Sequence, residues 1–354
     1  MLGDSKALTL IGRQSMQVGK KELAAIALIT ATLPGSTLAF DDREANAEST
    51  PEMAYPSHPL TLVTGFPPGA NTDSLAKLIA KHMAAPLGQK VIVDYKPGAS
   101  GNIGAQAVAR AKPDGYTLYL SGRPNTIHKT MYAHMEYDFS RDLVPVGLVA
   151  TVPYVMVAGP HSPLSSMEDV LRLAKAYPGG VSCASGGMGS TSHLLCELLQ
   201  QDMGINLQHI PYRGAAPALA DLIGGRIDLQ IAPVAAALPL IHSGKLRPIV
   251  VMSRLRVPAL STVPTIEEAG VPGLDLGAWH GLVAPAGTPA DVIAKLNKSI
   301  NTALQDPELR ETMERMAFIP PPAPNTPEGF KAFIAEETER WTSMLHTRKI
   351  RPVH

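Results

Sequence analysis

The sequence predicts an α/β fold with mainly parallel sheets in two domains, and three observations carry that reading. Short apolar runs alternate with stretches of helical periodicity, and glycine and proline separate them. The part of the chain left after a leader is removed, about 315 residues, exceeds one ordinary hydrophobic core.

The elements follow in order. Lys20 and Lys21 precede an apolar stretch, Leu23 to Leu33, of the length of a secretion signal and too short to span a bilayer. Thr37-Leu38-Ala39 offers small residues for cleavage, and the polar segment Asp41 to Ser57 that follows argues against a buried core helix. The first fifteen residues are poor signal material, so Met16 competes with Met1 as the true start. We therefore expect a signal peptide over residues 1–39, a linker over 40–57, and a periplasmic protein; no cysteine near the cleavage site suggests a lipid anchor.

Leu60 to Phe66 reads as a strand that breaks at two prolines and a glycine. It feeds a helix whose apolar positions are Leu75, Leu78, Ile79 and Met83. Lys90–Tyr95, Tyr116–Leu120, Val181–Ala184, Leu207–Pro211, Ile227–Ala232 and Leu246–Met252 read as further strands. Gly101–Ala111, Ser165–Ala176, Ser190–Met203, Ala215–Ile223 and Ala235–Ser243 read as helices. Val144–Gly159, punctuated by Pro145 and Pro153, and Gly277–Pro285 read as crossings between domains. That places domain 1 at 58–160 and 278–354 and domain 2 at 161–277. Phe330, Phe333, Ile334, Trp341 and Leu345 form one stripe of a C-terminal helix and read as core packing.

Composition excludes several classes of function. The chain carries 31 basic and 31 acidic residues. Loss of residues 1–39 removes Lys6, Arg13, Lys20 and Lys21 with Asp4 and Glu22, leaving 27 and 29. A charge near minus two gives no electrostatic footprint for nucleic acid or anionic membrane. Cys183 and Cys196 are not spaced like zinc ligands and read as two buried thiols, so neither metal nor cofactor is expected. A serine hydrolase would need a Gly-x-Ser-x-Gly elbow, and neither Ser100 nor Ser190 sits in one. Walker A, complete dinucleotide-binding and His-Glu-x-x-His patterns are absent from the sequence.

The loop from Gly65 to Asp73, "GFPPGANTD", carries the chemistry that remains. It joins a strand to a helix N-terminus, where unpaired backbone N–H groups and the helix dipole suit an anion without lysine or arginine. Candidate contacts there are Phe66, Pro67, Gly69, Ala70, Asn71, Thr72 and Asp73. The Asp73 carboxylate would repel an anion, so we expect it to cap the helix or hold an ammonium group or bridging water.

These segments resemble a known family. "GFPPGANTDSLAKLIA", "LGQKVIVDYKPGASGNIGAQAVARAKPDGYTLYL", "ASGGMGSTSHLLCELL", "HIPYRGAAPALADLIGGRID", "SGKLRPIVVMS", "STVPTIEEAGVPG" and "WHGLVAPAGTPADVIAKLN" follow one another in that order. Together, from about His58 to Trp341, they closely resemble the Bug family, the substrate-binding proteins of tripartite tricarboxylate transporters. The resemblance implies a two-lobed periplasmic binding protein of the type II, Venus flytrap kind that closes on a small carboxylate, held largely by backbone groups, hydroxyls and water. It implies integral membrane transporter subunits as partners; a membrane signalling sensor fits the same cleft, and a monomer is expected.

Further candidates are weighed residue by residue. In "PGASGNIG", Gly98, Ala99 and Ser100 suit ligand contact and a plain sharp turn equally, and the resemblance shifts the reading toward contact. Gly186, Gly187 and Gly189 lead into Ser190, Thr191 and Ser192, of which one can cap a helix while others face a ligand. His193 closes that turn or touches ligand, and Arg213 belongs at the rim. The chain departs from the family's usual pattern at Ala70, at "SGRPNTIHKT" (Ser121–Thr130) and at "IAPVAAAL" (Ile231–Leu238). Ser121 and Arg123 lie in the second of these, and Arg123 is expected to add a cation at a strand's carboxyl end.

Overall fold

The computed structural model describes residues 55–350 apart from positions 133, 272, 273, 275 and 276. The expected signal peptide and nearly all of the linker lie outside the described residues. No described helix is long and apolar enough to cross a membrane.

The first sheet begins with β1 (Leu60–Thr64), in which Leu60 and Leu62 face one core and Val63 the other, as a strand's two-residue period requires. α1 (Asn71–Leu87) buries Leu75, Ile79 and Met83 and ends at Gly88, whose φ of 68° is the left-handed conformation of a helix C-terminus. β2 (Val91–Tyr95) then pairs parallel to β1, α2 (Asn102–Ala109) covers the sheet, and β3 (Thr117–Gly122) pairs with the other side of β1. Three single-turn helices follow, α3 (Arg123–Thr126), α4 (His128–Met131) and α5 (Phe139–Asp142), and lead to β4 (Leu143–Val152).

Pro153, which has no N–H to donate to a ladder, separates β4 from β5 (Tyr154–Ala158), and β5 belongs to a second sheet. That sheet is completed by α6 (Met167–Ala176), β6 (Ser182–Ser185), α7 (Thr191–Met203), β7 (Gln208–Pro211), α8 (Ala215–Ile223), β8 (Leu229–Pro233), α9 (Val234–His242) and β9 (Arg247–Val251). α6 and α7 supply one side chain layer, with Val170, Leu195 and Leu199; α8 and α9 supply the other, with Leu219, Leu222 and Leu238. The chain returns through β10 (Ala278–Pro285), and α10 (Ala290–Gln305), α11 (Pro307–Arg315) and α12 (Pro327–Thr347) pack on the first lobe.

The two sheets share one plan, β2-β1-β3-β10-β4 and β7-β6-β8-β5-β9. In each, the strand arriving from the other lobe, β10 or β5, runs antiparallel to both neighbours while the remaining pairs are parallel. The sheets are therefore mixed rather than mainly parallel, because the crossing strands are built into them. Pro153, between β4 and β5, lies within the expected crossing Val144–Gly159.

The stripe on α12 is core, as its spacing indicates: Phe330, Ile334, Trp341 and Leu345 are buried. Trp279 of β10 meets Phe330 and Phe333 edge-on, at ring-centroid distances of 5.6 and 5.5 Å. Cys183 and Cys196 are buried free thiols; hydrogen bonding to Cys183 and then burial push the Cys196 thiol well up, which leaves it a packing group. Where α12 crosses β10, Gly281 leaves no room for a side chain, since a Cβ there would lie 2.1 Å from the Phe330 ring. Gly281→Ala should lower the unfolding free energy by about 1–3 kcal/mol through overpacking. Urea titrations of the variant and the parent protein check this, and equal midpoints would contradict it.

Candidate ligand-binding cleft

The carboxyl ends of the parallel strands meet between the lobes. Phe66 after β1, Gly122 at the end of β3, Gly186 after β6 and Pro233 at the end of β8 all line one small inner cavity of about 50 Å³. Each strand hands over to a helix there, so the first residues of α1 (Asn71, Thr72), α7 (Thr191, Ser192) and α8 (Ala215) line the same space, as does Pro233 at the start of α9. The N–H groups of a first helical turn have no carbonyl partner inside the helix, and four helix dipoles give their positive ends to this point. Phe66 and Gly186 also line a wider outer chamber of about 580 Å³.

The loop Gly65–Asp73 is held by its last residue. The Asp73 carboxylate accepts from Gly69 N at 2.8 Å, from the Tyr95 hydroxyl at 2.7 Å and from Lys77 Nζ at 2.9 Å. Burial opposes the charge, but these three donors outweigh it and keep the carboxyl below its usual range. Asp73 and Gly69 thus bond to each other and line neither cavity. Thr72, by contrast, lines the inner cavity with Ala70 and Asn71, and its buried Oγ1 has no partner among the described residues.

On the opposite lobe, Ser190 Oγ accepts from His193 N and donates to Gly187 O, and Ser192 Oγ accepts from Gly186 N. Ser190 is the helix cap, and Thr191 lines the cavity beside Tyr154. His193 lies behind the loop, where its Nδ1 accepts from Gly189 N at 3.1 Å; neither His193 nor Gly189 lines a cavity. Glu197 and His209 stand near His193, their ligand atoms within 4.8 Å of one another. With Nδ1 accepting, the neutral His193 ring carries its proton on Nε2, the atom beside Glu197, so no lone pair is offered there to a metal.

The outer chamber takes Pro67, Gly98, Ala99, Ser100, Gly187 and, at its edge, Arg213. Ala99 and Ser100 adopt positive φ of 45° and 52°, a strained turn that aims the Ser100 hydroxyl across the cleft. Ser100 Oγ donates to Met188 O at 2.5 Å, and Tyr132 OH donates to the same carbonyl at 2.9 Å. These two bonds latch the lobes together at the rim. A side chain at Gly189 would meet the Tyr132 hydroxyl at 2.7 Å, so only glycine lets this loop approach.

Ser121 lines neither cavity, whereas Arg123 reaches the inner one as half of a buried ion pair. Ser121 is fully buried, its hydroxyl donating to Gly281 O, so it ties β3 to β10. Arg123 does not project as a free cation: it begins α3, is 4% exposed, and gives Nε and Nη2 to Glu337 Oε2 at 3.2 and 2.9 Å. Its guanidinium stacks 4.3 Å over Trp341, and Trp279 Nε1 donates to the same Glu337 oxygen at 3.1 Å. Arg340 Nη1 lies 3.6 Å from the other Glu337 oxygen. Of the guanidinium nitrogens, Nη1 is buried with no partner among the described residues, and Arg123 lines the inner cavity.

Several lining residues were not singled out from the sequence: Gly122, Pro124, Tyr154, Gly214, Ala215, Pro233 and the run Ala278–His280. The segment "GAWHG" was read only as a crossing, and a crossing strand necessarily passes the cleft. That was the signal available for Trp279 and His280.

Burial pushes the His280 pKa down to about 4, with Ser121 O opposing and the Arg123 charge adding to the fall. Burial and then the neighbouring His209 bring His193 to about 4 as well. Both are neutral in the folded protein and protonate on unfolding below pH 6.5, so the unfolded chain binds more protons and stability rises with pH between about 4 and 6.5. Each contributes up to about 1.4 kcal/mol per pH unit in that window. Urea unfolding from pH 7 to 5 should show the loss, and His193→Gln or His280→Gln should flatten it; a pH-independent midpoint would contradict the assignment.

Comparison with known proteins gives the family. The profile of the tripartite tricarboxylate transporter family receptor matches residues 75–350. BugT of Bordetella pertussis is 38% identical over 293 residues, 82% of this chain and 89% of that protein. The solved periplasmic binding protein BugD is 34% identical, superposes with a TM-score of 0.81, and covers 84% of this chain and all of its own. A protein of R. palustris solved with adipate is 33% identical with a TM-score of 0.80, covering 84% of this chain and 100% of its own. MatC of Rhodopseudomonas palustris, solved with bound malate, is 31% identical with a TM-score of 0.78, covering 82% and 99%.

Proposed function

This chain belongs to the tripartite tricarboxylate transporter receptor family and is a periplasmic solute-binding protein, and from that premise we propose that it closes on a small organic carboxylate and passes it, chemically unchanged, to the membrane subunits of a tripartite transporter. The observation that carries the reading is that Arg123 and Thr72, which line a cavity where four helices begin, each hold a buried polar atom, Nη1 and Oγ1, with no partner among the described residues. An unsatisfied buried donor costs about 1–3 kcal/mol, and a carboxylate oxygen is the group that satisfies a guanidinium N–H best. The inner cavity has room for roughly three or four water-sized groups, the space of one carboxylate head, while the outer chamber takes the remainder of the molecule. The relatives solved with adipate and malate hold dicarboxylates, in keeping with this class of ligand.

Closure follows from differential contact. A ligand held by α1 and Arg123 on one lobe and by α7 and α8 on the other makes all its bonds only when the lobes meet, so binding shifts the population toward the closed form. Charge-assisted hydrogen bonds contribute about 1.5–3 kcal/mol each, so a few reach micromolar affinity, near 8 kcal/mol, after ordering costs.

The test is a thermal-shift and calorimetric screen of the purified protein with mono-, di- and tricarboxylates. An acid at a hundred times its dissociation constant should stabilise the protein by about 2.7 kcal/mol. Arg123→Ala should weaken that acid by about tenfold or more, and Arg123→Lys, which keeps the charge but loses Nη1, should also bind less tightly. Undiminished affinity in Arg123→Ala would remove Arg123 from the site, and no response to any acid would overturn the proposed ligand class.

A further inference from the structure

We infer that the acid this cleft selects carries a hydroxyl group on the carbon next to the carboxylate held by Arg123, because His280 presents a hydrogen-bond acceptor on the same inner cavity. The inference rests on the carboxylate reading above and adds a specificity-determining residue to it. His280 lies on β10, is 8% exposed, and lines the cavity beside Trp279 and Arg123. Its Nδ1 is 3.2 Å from Ser121 O. A backbone carbonyl can only accept, so Nδ1 must carry the ring proton.

The ring is neutral in the folded protein, for the reasons of burial and nearby positive charge already given, and Nε2 then holds a lone pair. No described residue donates to Nε2. The cavity wall thus offers a cationic donor, Arg123 Nη1, and a neutral acceptor, His280 Nε2, in one compartment whose volume matches three or four oxygen-sized groups. A plain carboxylate satisfies the first and leaves the second unpaired. A carboxylate with an adjacent hydroxyl satisfies both, its O–H donating to Nε2. An adjacent ammonium would also donate, but it would bring a second positive charge against Arg123, so the neutral hydroxyl is the better match.

Matched pairs of probes test this: malate against succinate and 2-hydroxyglutarate against glutarate, with aspartate as the ammonium counterpart, titrated calorimetrically into the purified protein stripped of bound ligand. The hydroxy acid of at least one pair should bind about five- to tenfold more tightly than its plain partner, and more tightly than aspartate. His280→Phe should bring that ratio close to one, and His280→Gln, which restores an acceptor, should recover part of it. Circular dichroism and urea unfolding confirm that each variant is folded; if His280→Phe does not fold, the parent ratio and His280→Gln decide. Equal affinities within both pairs, a preference for aspartate, or an unchanged ratio in folded His280→Phe would each overturn the inference. Acids that bind without preference defeat this inference alone, whereas silence toward every acid defeats the carboxylate reading beneath it.

Discussion

Buried polar groups need partners, and in this protein four helices open onto a cavity of about 50 Å³ whose lining includes Thr72 and Arg123, with Oγ1 and Nη1 unpartnered among the described residues. The helices α1, α7, α8 and α9 arrive there because the parallel strands before them all end at the same level, and mixed sheets of one plan on both lobes bring those ends face to face. The positive potential of the site is therefore a property of the fold itself, with Arg123 adding a side-chain charge to it. Loop details serve that arrangement: Asp73 spends its charge on Gly69, Tyr95 and Lys77 so that the N-terminus of α1 stays in place without facing the ligand.

The Arg123 cluster joins the site to the C-terminal helix. Glu337 of α12 holds the guanidinium on one edge and receives the Trp279 indole on the same oxygen, while Trp341 covers the flat face. A buried ion pair of this kind contributes little net stability against well-packed apolar residues, but losing one partner is costly. What it provides is orientation, since a guanidinium fixed at Nε and Nη2 can aim only Nη1. At the rim, the Met188 carbonyl receives Ser100 and Tyr132 across the cleft, so closure has a contribution from protein atoms alone and a ligand has only to tip the balance.

Much of this was legible in the sequence, for identifiable reasons. The strand–loop–helix at Leu60–Met83 declared itself through period, glycine and proline, and the Ser190 cap and the α12 stripe followed from residue type and spacing. The direction of β5 and β10 could not be read, because an apolar run has no sign of its own until its neighbours are known. Arg123 was legible as a cation near a strand's end but not as half of a buried pair, since Glu337 lies 214 residues away along the chain. His193 was left between closing the helix turn and touching ligand, and the helical turn carries it behind the loop to Gly189. Trp279 and His280 were passed over because a crossing was treated as a connection, although a connection between lobes is also a wall of the cleft.

The most direct test of the central claim is a crystal structure of the protein with a bound dicarboxylate. The account predicts one carboxylate inside the inner cavity, with oxygens within hydrogen-bond distance of Arg123 Nη1, the Thr72 hydroxyl and first-turn N–H groups of α1 or α7. A ligand bound elsewhere, or one in the cleft that leaves Nη1 and the helix starts without an acceptor, would contradict it.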